Sequence, residues 1–119
     1  MKQVSFISVE DEDPDLILSF AVWHPEFDDV RSLILLRTPQ YEVFLDEAER
    51  GVNVSYQSWM SDQDEMLKRV ELHDEMITIM TTDRRLDLDI SKVAEDEIEE
   101  AKKILNRMNF DDRFEIKIV

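Results

Sequence analysis

Asp11, Asp13 and Asp15 stand at alternate positions, the spacing with which an EF-hand loop begins its grip on calcium. Such a loop needs glycine at its sixth position and glutamate at its twelfth, where this chain has Leu16 and Val22. The trio therefore reads as a solvated acidic turn. His24 and His73 are the only histidines, each beside carboxylates: Glu26 and Asp28 in one case, Asp74 and Glu75 in the other. A metal site would have to draw two distant loops together, and no helical i,i+4 pair supports one. Both read as exposed turn histidines. General acid–base work needs two carboxyl groups in different environments within a cleft. The acids here gather in loops and on one helix face, where water keeps them ionised. Gly-x-Ser-x-Gly, phosphate-cradling, His-Glu-x-x-His and dinucleotide fingerprints are all missing. No catalytic, cofactor-binding or metal-ligating residue is assigned, and the expectation is a protein without enzymatic activity.

Side chains suited to recognition are easier to find. Phe27 and Trp59 lie in polar surroundings, and Asp62, Asp64 and Glu65 follow Trp59 closely. Aromatic groups among charges resemble interface anchors, with the acids steering a cationic partner. Phe27, Trp59, Asp62, Asp64 and Glu65 are thus the partner-binding candidates. Trp59 has a second reading as core, and Trp23 and Tyr56 read as strand-end residues that pack inward. The Arg84–Arg85 pair is too small a basic patch for nucleic acid.

Composition points the same way. The chain has 29 acidic and 14 basic residues among 119, a net charge of −15, with no cysteine and a single glycine. Such a field repels nucleic acid and anionic membranes and attracts basic surfaces. Without cysteine there are no disulfides or thiol nucleophiles, which fits a reducing compartment. The start of the chain meets the Glu10–Asp13 acids too soon for a signal peptide, and no apolar run approaches the ~20 residues of a membrane span. A cytoplasmic protein of one domain, residues 1–119, is expected.

The elements that must position these residues follow from periodicity. A first strand runs from Val4 to Val9, and the acids and proline of 10–15 break it. Leu16–Trp23 and Ser32–Arg37 are short, nearly continuous apolar runs and read as central strands. Thr38, Pro39 and Gly51 would cap and end a short helix whose face is Tyr41, Phe44, Leu45 and Ala48, although Tyr41, Val43 and Leu45 also alternate as a strand would. Val52–Tyr56 reads as a strand and Trp59–Glu65 as a loop. Met66–Leu72 and Met76–Thr82 form a hairpin, and Arg85–Ile90 is a further strand. The clearest helix begins near Val93, with Ala94, Ile98, Ala101, Leu105 and Met108 along one stripe, and a strand at Phe114–Ile118 follows. The fold class is α+β: a mainly antiparallel β-sheet with one long C-terminal helix and a short second helix packed on it.

The order of these features resembles the immunity protein 10 family, antidotes of bacterial polymorphic toxin systems. The likeness covers roughly residues 33–108: the strand Leu33–Arg37, an acidic segment ending near Gly51, the strand Val52–Tyr56, the hairpin Leu67-x-x-Val70-x-Leu72 with Met76–Ile79, and the acidic helix Glu95–Leu105. This chain has Asp64-Glu65-Met66 where that family usually carries a Tyr-Gly-Gly-like turn, and no functional residue is transferred. The resemblance implies a protein that binds and neutralises a toxin domain. From the residues themselves the reading is a module that docks on a basic protein surface. The alternatives are a homodimeric assembly protein using an open sheet edge, and a small hydrolase using loop carboxylates.

Overall fold

A computed structural model describes residues 1–59 and 65–119. Among the described residues eight strands form one sheet: β1 (Lys2–Glu12), β2 (Asp15–His24), β3 (Asp29–Arg37), β4 (Asn53–Tyr56), β5 (Glu65–Leu72), β6 (Met76–Thr81), β7 (Arg85–Asp89) and β8 (Glu115–Ile118). One α-helix, α1 (Glu95–Met108), lies between β7 and β8 in sequence. The architecture is a mainly antiparallel sheet with one 14-residue α-helix.

Across the sheet the order is β4-β3-β2-β1-β7-β6-β5-β8, and β4 pairs again with β5. The ends therefore meet and the sheet closes on itself. Both closing seams are short. Lys2 and Gln3 pair in parallel with Leu88 and Asp89, and Asn53 and Val54 pair with Met66 and Glu65. β1 leaves β7 beyond Gln3, and α1 packs on β1 and β2 there. The Ile7 N–H, which has lost its strand partner, donates to Glu97 Oε1 at 2.7 Å. A helix side chain thus satisfies the open strand edge, as a buried backbone donor requires. β8 continues the sheet where β4 stops, running parallel to β5 from Arg69 to Leu72.

Alternation along β2 and β3 sends Leu16, Leu18, Phe20, Val22, Leu33 and Leu35 inward. They meet Val70, Ile77, Ile79 and Leu88 from the other strands, and Ala101, Ile104, Leu105 and Met108 from α1. Asp96 and Glu97 at the start of α1 and Arg107 at its end complement the helix dipole.

Three expectations need correction. The acidic run does not break the chain at Glu10: β1 continues through Glu12, and the reversal is the two-residue turn Asp13-Pro14. Antiparallel pairing of Asp11 with Leu16 and Glu12 with Asp15 holds these acids in strand. Residues 38–51 form no α-helix but two 3₁₀ helices, Pro39–Phe44 and Glu47–Glu49, with Leu45 extended between them. Their expected apolar face points to solvent. His24 is not exposed; it is 4% accessible at the end of β2.

Candidate functional site

Arg37 ends β3 and is 1% exposed, with every guanidinium donor engaged. Its Nε and Nη2 donate to the two oxygens of Glu42 at 2.9 and 2.8 Å. Nη1 and Nη2 donate to Asp111 at 2.8 and 2.9 Å, and Nη1 also reaches the Met108 carbonyl at 2.6 Å. The Phe110 ring covers the guanidinium, 4.2 Å from its carbon. One buried cation therefore ties the first 3₁₀ helix, the end of α1 and the loop after it into one unit. Burial opposes the charge on Arg37, but its hydrogen bonds to Asp111 and Glu42 outweigh it and raise its pKa. In return the Arg37 hydrogen bonds hold the Asp111 carboxyl down at about 2, with help from Arg113.

Above this anchor the 39–45 segment turns apolar side chains outward. Tyr41, Val43, Phe44 and Leu45 are all exposed, Phe44 by 83%. Two further arginines brace the segment: Arg50 donates to the Leu45 carbonyl at 3.2 Å, and Arg113 to the Glu47 carbonyl at 2.6 Å. Beside it a groove of about 670 Å³ runs between Pro14, Leu16, Pro39 and Phe110, with Asp13 and Arg107 also lining it. Asp46, Glu47 and Glu49 follow the apolar residues directly and are exposed. An exposed apolar surface beside carboxylates can exclude water from a partner's side chain while attracting a cationic one.

The sequence candidates sit elsewhere. Phe27 is 56% exposed in the β2–β3 turn, with Arg31 over its ring at 4.0 Å. It stacks on His24 at 6.1 Å, His24 lies 5.7 Å from Tyr56, and Tyr56 meets Trp59 edge-on at 6.0 Å. Arg84 covers Trp59 at 4.3 Å and pairs with Glu65 at 2.9 Å. Phe27, Trp59 and Glu65 thus belong to one row along the barrel, linked by His24 and Tyr56. Within it Trp59 is half-buried and packs on the core. Glu65 is buried and also accepts from Thr81. Asp62 and Asp64 lie outside the described residues. His24 hydrogen-bonds Tyr56 and Glu26, and burial pushes the Tyr56 phenol up. The exposed Glu26 carboxyl is held at about 2, chiefly by Lys2.

Sequence reasoning missed Arg37 and Phe110 altogether. The available signal was an arginine ending an apolar strand, with acids five residues later and again near Asp111. Among the described residues no group of three or more His, Asp or Glu is placed to hold a metal. None of their helices is long and apolar enough to cross a membrane. Comparison of the chain with protein-family models, curated proteins and solved structures finds no match.

Proposed function

We propose that this chain is a non-enzymatic, acidic protein-binding module that docks on a basic protein surface through the segment clamped by Arg37. Phe44 carries the reading: a large apolar side chain, 83% exposed, on a segment that a fully buried arginine holds in place. Leaving it in water has a cost that a partner removes, and the clamp reduces the entropy lost on docking. Tyr41, Phe44 and Phe110 act as anchors. Asp13, Asp46, Glu47 and Glu49 steer the approach within the wider field of a −15 chain. Neutralisation of a toxin domain with a basic nucleic-acid-binding surface is the most concrete version, following the resemblance to the immunity protein 10 family. A cysteine-free chain suits the cytoplasm, where such an antidote would act.

Parallel pull-downs from native-host lysate with the wild type, Tyr41→Ala and Phe44→Ala test this. The wild type should retain a stoichiometric basic protein at low salt and release it at high salt, and both variants should lose it. Equal capture by all three proteins would remove the docking surface from the account.

A further inference from the structure

The outer edge of β8 is a second surface, independent of the Arg37 clamp. The Val119 N–H donates to the Leu72 carbonyl on β5 at 2.8 Å, so odd-numbered residues of this stretch turn their backbone groups toward β5. By alternation Ile116 and Ile118 turn theirs away from it, and among the described residues no strand pairs with that edge. Ile118 is 70% exposed and Lys117 is exposed. The edge borders grooves shared with Ile98, Lys102, Asn106 and Asn109 of α1, and its unpaired backbone is a template for another strand.

The side chains specify which strand. Arg69 lies directly opposite Glu115 and donates to it at 2.6 Å, while Glu71 lies opposite Lys117. We infer that β8 pairs antiparallel with β8 of a second copy, about a two-fold axis at Ile116. In that register the Ile116 residues exchange both backbone bonds, and each Ile118 N–H meets the other copy's Phe114 carbonyl. Glu115 of each chain then faces Lys117 of the other in the close, non-hydrogen-bonded position. Across four strands the charges read Arg69, Glu115, Lys117, Glu71, alternating in sign throughout, and the two-fold generates the same row again. A shift of one residue in either direction would lose this match. The strand is its own complement, as an isologous interface requires.

A seam of one four-residue strand falls well below the ~1,200 Å² of stable complexes, so the dimer is weak. The test is sedimentation equilibrium from micromolar to millimolar protein, at high salt to screen the repulsion between two −15 chains. Amide exchange by NMR is followed over the same range. The expected result is a dimer fraction that rises with concentration, with the Ile116 and Ile118 amides slowed roughly tenfold as it forms. Ile116→Pro removes the outward N–H together with part of a half-buried side chain that packs on the core, and should abolish self-association at some cost in melting temperature; should it disturb the fold, the wild-type exchange data still decide. A monomer throughout the range overturns the inference. So does a dimer in which exchange at Ile116 is independent of concentration.

Discussion

Arg37 organises more of this surface than any other side chain. Its partners Glu42 and Asp111 lie on segments far apart in sequence, and both bind it through two oxygens. Removing the cation leaves two carboxylates facing a buried space. Arg37→Ala should therefore cost about 3–5 kcal/mol in urea unfolding, and Arg37→Lys should recover little because an ammonium cannot reproduce the planar fork. The Asp111 carboxyl has a folded pKa of about 2, below the unfolded value of about 4. Its contribution is thus fully present above about pH 4 and fades as pH falls toward about 2. Asp111→Asn should flatten that part of the stability–pH curve, measured by thermal melts across the acid range. Phe44 behaves in the opposite way. Because it is so exposed, Phe44→Ala should leave stability within about 0.5 kcal/mol while weakening partner binding by about 2 kcal/mol. On the docking proposal, Arg37 would act on binding through the structure it holds, and Phe44 on binding with little effect on structure.

Elements whose partners lie within their own period could be read from the chain, and those that depend on distant partners could not. The alternation of β2, β3 and β7 and the stripe of α1 each encode a buried face, and Ala101, Leu105 and Met108 are indeed buried. Leu105→Ala should cost about 2–5 kcal/mol by opening a void between α1 and the strands, read as a lower urea midpoint. Tyr41, Phe44 and Leu45 show the same helical spacing, yet spacing is silent on whether a surface exists for them to cover. His24 was misread because Tyr56, which helps to enclose it, is 32 residues away. Sheet closure was invisible for a similar reason: its seams are two residue pairs each, between distant segments. Gly51 was read as the glycine that ends a helix over 38–51, and no such α-helix forms; glycine is needed there for a different reason. It holds φ at +136°, and a Cβ there would come within 2.9 Å of Met66 Cε. Gly51→Ala should cost about 1–3 kcal/mol, mainly as backbone strain, in the same unfolding assay.

At the scale of the whole molecule the dominant quantity is the net charge of −15, which was plain from composition. Where that charge meets exposed apolar surface was not, because the apolar residues of 39–45 looked like core. On the docking proposal the acids and the anchors would have separable effects. Long-range attraction sets the encounter rate and is screened by salt, whereas a desolvated anchor sets the lifetime of the complex. The measurement that tests the account most directly is the association and dissociation rate of the recovered basic partner, for wild type and Phe44→Ala, across a salt series. The account predicts parallel, steeply falling on-rates for the two proteins, with dissociation of the variant faster by about 30-fold, the kinetic equivalent of the ~2 kcal/mol anchor. Identical dissociation rates, or an on-rate indifferent to salt, would contradict it.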